Sequence, residues 1–515
     1  MYRKKNTLQL EFPDFYHPFG GELDMENRWV VLAKLIPWEL VEEIYHADLS
    51  RDMGAPIKSA RLALGALLIK EKQQLTDRET VQAIQENPYM QFLIGHEEFV
   101  SKKVPFDASL MVDFRKRFGE EGIQQIAEAI ALASLKENGI VTSTTDENSD
   151  NETDEPTSNN DQESTSPTDQ VDATDVEATP ENRGKLIADA TCAPADIRFP
   201  TDVGSLNEAR EKTDEIIDEL HRPLKGKLPR PRTRRKQARK KFVAFTKSKG
   251  ARNKKVRKAK RQQLGYLARN LRAIDDLIKN PDALPLSGLS RRLYKNLLVC
   301  REFYRQQLEM FEKRVNRIDD RIVSLSQPHV RSIKRNKAGK KWEFGAKLSI
   351  SVVESFSFVE KLSWDSFNEK EDLVGQIERY RNQFGFYPES VHVDKIYRTH
   401  ANRKYCKERG IRISGPPLGR PRKNVSLEEK RQAKVDEGIR NHVEGKFGQA
   451  KRRFGLGLIM TKLMNTSGAQ ISLSFLVMNL EEALKRFFLS IFFWCCGLGW
   501  CRIERRALLS RVRPQ

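Results

Sequence analysis

Between Val141 and Asn182 the chain holds 13 Asp and Glu, many Ser, Thr and Asn, several Pro, and no Lys or Arg. Such a stretch cannot bury enough apolar surface to offset the entropy lost on ordering. It is expected to be a disordered acidic linker over 141–182, which divides the chain into a unit at 1–140 and a larger one from residue 183 onward. Because the linker is acidic, the remainder is more basic than the total charge of +20 and the pI of about 9.6 indicate. That balance favours a polyanionic partner, nucleic acid before an anionic membrane. The one long apolar run, Phe487 to Cys501, is shorter than a membrane span and contains Gly497 and Gly499. It reads as part of an apolar and basic tail at 486–515. The N-terminus opens Met1-Tyr2-Arg3-Lys4-Lys5, so no signal peptide is expected. The six cysteines form no Cys-x-x-Cys pair, so zinc is not expected, and scattered thiols suit a reducing cytosol.

The first unit reads as short helices. Leu62, Leu64, Leu67 and Leu68 form an apolar face, and Thr76-Asp77-Arg78-Glu79 is a capping box ahead of Val81 and Ile84. Asn87-Pro88-Tyr89 stops that helix. A further helix places Leu110, Phe114 and Phe118 on one side, with Arg115, Lys116 and Arg117 expected at the surface. The pattern fits either a helix-turn-helix-like DNA reader or a bundle used for dimerisation.

The region at about 205–330 reads as a long basic helical insertion. From Arg222 to Arg261 the chain is dense in Lys and Arg, Arg234, Arg235 and Lys236 among them, and this density favours phosphate contact. Leu264, Leu267, Leu271, Ile274 and Ile278 keep a 3,4 spacing, as do Leu308, Phe311, Val315, Ile318, Ile322 and Leu325. Two such stripes with a break at Pro281 to Ser287 predict an antiparallel hairpin.

Around this insertion lie the strand signals. Lys185 to Thr191 is a strand that carries Asp189. Trp342 to Val353 and Phe356 to Leu362 form a hairpin, and a helix spans about Lys370 to Gln383. Ser390-Val391-His392-Val393 leads into a second acid, Asp394. A helix over Asn402–Arg409, a short strand over Ile411–Ser414 and a basic loop over Gly415–Lys423 follow. The last helix starts at a capping box, Ser426 and Glu429, and buries Ile439, Val443, Phe447 and Phe454. Its second stripe carries Arg440, Glu444 and Lys451. Read alone, that stripe is a surface i,i+4 ion pair. The alternation of strands and helices predicts a mixed α/β layer, in which acids at adjacent strand ends and one on a crossing helix can converge. Three carboxylates together need cations, and hard oxygen ligands select Mg²⁺ or Mn²⁺.

These residues resemble the bacterial insertion-sequence DDE transposases of the insertion-sequence-five kind. The match rests on Ile187-Ala188-Asp189-Ala190-Thr191, on Val393-Asp394-Lys395-Ile396-Tyr397-Arg398 with Asn402 beyond, and on Arg440-x-x-x-Glu444-x-x-x-x-x-x-Lys451. Leu75-Thr76-Asp77-Arg78-Glu79 and Glu86-Asn87-Pro88-Tyr89 resemble that family's N-terminal domain. Glu437 stands where the signature has Tyr, and Ile396 where a small residue is usual. The resemblance implies an RNase H-like catalytic domain at 183–485. It implies that Asp189, Asp394 and Glu444 hold two Mg²⁺ or Mn²⁺ ions, and that Arg440, Lys451, Lys395, Tyr397 and Arg398 bind DNA beside the cut. It further implies cleavage at the ends of a mobile element, strand transfer into target DNA, a homodimer in the synaptic complex and a cytoplasmic, nucleoid-associated location. A DNA-binding relative without chemistry and an RNase H-like nuclease without strand transfer are the alternatives.

Overall fold

The computed structural model describes residues 22–47, 57–137, 181–248, 253–337, 340–415 and 426–495. The expected linker (but for its last two residues), the basic loop from residue 416 on and the tail past Cys495 lie outside the described residues.

Among the described residues six helices come first: α1 Arg28–Leu35, α2 Trp38–His46, α3 Ala60–Gln73, α4 Asp77–Glu86, α5 Pro88–Leu93 and α6 Leu110–Glu137. The capping box forms, with the Thr76 hydroxyl on the Glu79 amide and the Glu79 carboxylate on the Thr76 amide. Asn87 then caps α5, whose first residue is Pro88. α3 is buried on nearly every side from Leu62 to Ile69, as the central helix of a bundle must be. α6 kinks at Gly119, which takes φ 63. One expectation fails here. Arg115 is not at the surface; it is 4% exposed and bidentate to Asp77 at 3.1 and 2.8 Å. Lys116 and Arg117 are exposed as expected.

One mixed sheet of six strands follows: β1 Lys185–Pro194, β2 Arg331–Lys337, β3 Lys340–Val353, β4 Phe356–Ser363, β5 Ser390–Val393 and β6 Arg412–Ser414. The order is β2-β3-β1-β5-β6, with β4 also paired to β3. β3 is long because it serves two partners in series on the edge away from β1: β2 up to Gly345 and β4 from Lys347 on. β1 runs antiparallel to β3 and parallel to β5, and β5 parallel to β6. Central β1 and β5 are buried almost throughout, as strands covered on both faces are.

Between β1 and β2 the chain builds α7 Asp202–Leu220, α8 Arg235–Thr246, α9 Asn253–Ile278 and α10 Arg291–Glu312. Asp202 meets Lys260, and Thr213 meets Asn270, so α7 and α9 run parallel. Arg257 over Phe311 and Asp275 with Arg301 set α10 antiparallel to α9, and Ala209 with Cys300 and Glu215 with Arg292 set it antiparallel to α7. The expected α9–α10 hairpin is therefore part of a three-helix bundle, closed by Leu206, Ile216 and Ile217 of α7. Of the second apolar stripe only Leu308 and Phe311 are helical. α10 stops at Glu312, Arg314 takes φ 55, Val315 is exposed, and Ile322 and Leu325 are buried from non-helical chain.

The rest is α11 Leu373–Phe384, α12 His400–Glu408, α13 Leu427–Arg453 and α14 Met464–Cys495. α14 lies along α6 and against β4, and one continuous apolar core joins the N-terminal helices to the sheet. Phe487 packs on that core, whereas Phe488 and Leu489 are exposed. No described helix is long and apolar enough to cross a membrane.

Candidate active site at the ends of adjacent parallel strands

Asp189 does not end its strand, because β1 continues to Pro194. It is β5 that ends, at Val393, and the register pairs Ala188 with Val393. Asp189 and Asp394 are therefore the next residues along two adjacent parallel strands, which lie about 4.8 Å apart. Asp394 is exposed and its Oδ1 accepts from the Lys395 amide at 2.7 Å, while Asp189 accepts from the Ala190 amide at 2.8 Å. Burial above all pushes the Asp189 carboxyl up to about 6. The charges of Glu369 and Asp394 push the same way, and the Ala190 amide and Arg440 oppose them.

Glu369 was not singled out from the sequence. It opens a short turn, Glu369–Glu371, that packs on the turn Lys395–Tyr397 after Asp394. The buried Asn402 amide holds the two turns together by donating to Lys370 O at 2.9 Å and to Tyr397 O at 2.8 Å. Lys347 neutralises Glu369 at 2.8 Å. Only proximity reveals this acid, since Ser366-Phe367-Asn368-Glu369 has no pattern beyond that of a polar loop.

α13 starts at its capping box and lies across β1 and β5, burying Val443 and Phe447. Its anchor is Asp436, which takes both Arg412 nitrogens at 2.7 and 3.0 Å. Beneath it His392 is fully buried, its ring nitrogens on Ser390 Oγ at 3.0 Å and Ser414 Oγ at 2.8 Å. One turn beyond the anchor is Arg440, and one turn beyond that is Glu444. Arg440 Nη1 lies 3.3 Å from Glu444 Oε1, and the Glu444 side chain is 59% exposed. Among the described residues no three acidic, His or Cys side chains gather closely enough to hold a metal ion. The strand register sets Asp189 and Asp394 side by side; Glu444 is turned to Arg440 and does not join them.

The remaining candidates separate. Lys395 is exposed beside Asp394, and Lys451 is half-buried further along α13. Tyr397 is fully buried, so the expected DNA contact is corrected: no part of its ring reaches the surface. Arg398 donates to the Gly415 carbonyl and is half-buried. Arg234, Arg235 and Lys236 are exposed where α8 begins, in the bundle rather than among the acids, and Arg235 contacts Asp218 at 2.9 Å.

The donor set is one of hard oxygens. Asp189 and Asp394 fit a divalent cation, whose charge would offset both the desolvation and the neighbouring acids that hold the Asp189 carboxyl up.

Comparison with known proteins gives two family matches and one relative. The family described as "Transposase DDE domain" matches residues 391–481, a span that includes Asp394 and Glu444 and begins after Asp189. The family described as "Transposase domain (DUF772)" matches residues 18–117, over the N-terminal helices. An uncharacterized protein, ORF8 in the nfe locus of Rhizobium meliloti, is 37% identical over 107 residues, which is 21% of this chain and 51% of that protein. The chain thus spans about half the length of that relative. No solved structure matches. Two transposase-domain families thus match this chain, one toward each end, and the later match begins at the second residue of β5.

Proposed function

We propose that the chain is a transposase of the insertion-sequence-five kind that cuts DNA at the ends of its element and joins them to target DNA. The observation that carries this reading is the register that makes Asp189 and Asp394 neighbours beneath α13. An RNase H-like core is supported by the strand order β4-β3-β1-β5-β6, with β1 antiparallel to β3 and parallel to β5.

Asp189, Asp394 and Glu444 are the residues that would hold two Mg²⁺ or Mn²⁺ ions. When bound, such ions lower the cost of forming the attacking oxygen and of releasing the leaving one. The protein's part is positioning. The strand register sets the two aspartates, Asn402 fixes the turn behind Asp394, and the Asp436–Arg412 anchor fixes α13. Arg440, Lys451, Lys395 and Arg398 hold phosphates next to the scissile bond. Arg234, Arg235 and Lys236 extend the contact along the duplex. Two copies would synapse the two element ends.

The test is strand cleavage on duplexes carrying the element's terminal repeats. Asp189→Ala, Asp394→Ala and Glu444→Ala each abolish cleavage while DNA binding persists; full cleavage by any one of them refutes the assignment. A strand-transfer assay separates this reading from a nuclease that never joins strands. The second reading, a DNA-binding relative without chemistry, draws on Glu444 facing Arg440 and on Glu437 at the signature's Tyr position. Absence of cleavage by the parent with either metal would favour it.

A further inference from the structure

α12 opens at His400, a short turn after Asp394, and its inner side is tied to the acid end of the sheet. The buried Asn402 amide reaches the Tyr397 carbonyl at 2.8 Å, in the turn that follows Asp394, and the Lys370 carbonyl at 2.9 Å, in the turn that Glu369 opens. Thr399 caps the helix by accepting from the Asn402 backbone amide at 3.2 Å, and Cys406, one helical turn on, is buried as well. The helix is therefore fixed in place relative to Asp394.

The opposite side faces out. His400, Arg403, Lys404 and Lys407 stand at i, i+3, i+4 and i+7, which is one face of a helix, and all four are exposed. Acids scarcely meet them. Arg403 Nε donates to the Thr399 carbonyl of its own helix at 3.4 Å. Lys404 lies 3.8 Å from Glu408, an exposed i,i+4 pair that water and salt screen. Between Asp394 and Glu408 the sequence carries Lys395, Arg398, Arg403, Lys404 and Lys407 and no acid. These cations crowd one another: burial first, and then the charge of Arg403, lower the Arg398 guanidinium below its usual value.

The dimensions suit a DNA strand. From His400 to Lys407 the helix rises about 10 Å, and three successive phosphates of one strand rise about the same at roughly 3.4 Å each. The chain from Asp394 to His400 can span at most about 21 Å, which is about six nucleotides along that strand.

We propose that the outer face of α12 is a phosphate track, which holds one strand of duplex DNA within about six nucleotides of the bond cut at Asp189 and Asp394. Contacts of this kind set the register of the duplex without reading its bases. The proposal rests on the reading of DNA as substrate. It adds a surface separate from α8 and α13, and one that the Asn402 contacts hold to the turn behind Asp394.

The test is DNA affinity across a salt series for the parent and for Arg403→Gln/Lys404→Gln/Lys407→Gln, with thermal unfolding to confirm the fold. The variant is expected to bind on the order of tenfold more weakly at 0.1 M salt, and the slope of log affinity against log salt should fall by about 0.9 for each phosphate that is no longer neutralised. Should the triple variant unfold, Lys407→Gln alone is expected to lower the slope by about 0.9. Methylphosphonate substitution, which removes one phosphate charge at a time, should weaken the parent at neighbouring positions within about six nucleotides of the cut and leave the variant unaffected there. Unchanged affinity and slope, or positions that stay sensitive in the variant, overturns the proposal. A variant that aggregates yet binds DNA with the parent's slope also overturns it and assigns these cations to solubility. If the parent fails to bind duplex DNA, the substrate reading fails and takes the track with it. If the parent binds and cleaves and the variant equals it, only the track is refuted.

Discussion

Arg440 stands between two acids of the site: its Nη1 lies 3.3 Å from Glu444 Oε1, and its charge opposes the upward push on the Asp189 carboxyl. The guanidinium brings positive charge to both carboxylates, as Lys347 does to Glu369. An exposed i,i+4 pair of this kind contributes only about 0.3–0.5 kcal/mol, so a phosphate or a metal ion can displace it at little cost.

Arg440→Gln is therefore expected to gain more thermal stability from added Mn²⁺ than the parent does, because arginine and ion serve the same carboxylates. Scanning fluorimetry with and without Mn²⁺ measures this. Equal shifts for the two proteins would show that Arg440 does not occupy the cation's place.

The anchor of α13 is open to a separate test. Asp436→Asn keeps the shape but loses the charge that holds Arg412 at 2.7 and 3.0 Å. Charge-assisted hydrogen bonds of this sort contribute on the order of 1–3 kcal/mol, less here because Arg412 is 43% exposed. Urea unfolding should show a loss of about 1–2 kcal/mol, and the helix that carries Glu444 should become more sensitive to proteolysis. No change in either would remove Asp436 from this role.

A different acid costs stability. Glu71 is 3% exposed, its Oε1 lacks a hydrogen-bond partner, and burial pushes its carboxyl up to about 7. A carboxyl raised in the folded state stabilises the fold only while protonated, so this contribution falls as pH rises from about 4.5 through 7. Glu71→Gln is expected to match the parent near pH 4.5 and to exceed it near pH 7.5, by an amount of order 1–3 kcal/mol. Unfolding at the two pH values decides it; a constant difference would contradict the linkage.

Gly345→Ala is expected to be severe, since the new methyl meets the Ala193 carbonyl oxygen at 2.0 Å, a backbone atom held in the sheet. A loss of at least about 2 kcal/mol should follow, with weaker protection of the Ala193–Phe344 amides in hydrogen exchange. An unchanged melting temperature would mean that β1 and β3 separate there easily.

What could be read from the sequence was whatever is written locally. The capping boxes at Thr76 and Ser426, the stripe of Val443 and Phe447, and the short apolar run ahead of Asp394 all depend on neighbours within a few residues. What failed depends on distant partners. Arg115 looks solvated until Asp77 is found 38 residues away. Tyr397 sits among cations in the chain yet is enclosed by Ser349 and the Glu369 turn. β2 was not anticipated, because Arg331-Ser332-Ile333-Lys334-Arg335-Asn336-Lys337 has one apolar residue and becomes a strand only through pairing with β3. The bundle's third helix, α7, was likewise read only as one of several helices.

The packing of α14 along α6 bears on how the molecule is made. Gln124 and Ser472 meet at 3.3 Å although 348 residues separate them. During synthesis the apolar side of α6 therefore emerges long before the segment that covers it, and the core shared with β4 cannot close until α14 has been made. A messenger truncated before α14 would yield a nascent chain with its first helices uncovered, a substrate for chaperones and proteases rather than a partly working protein.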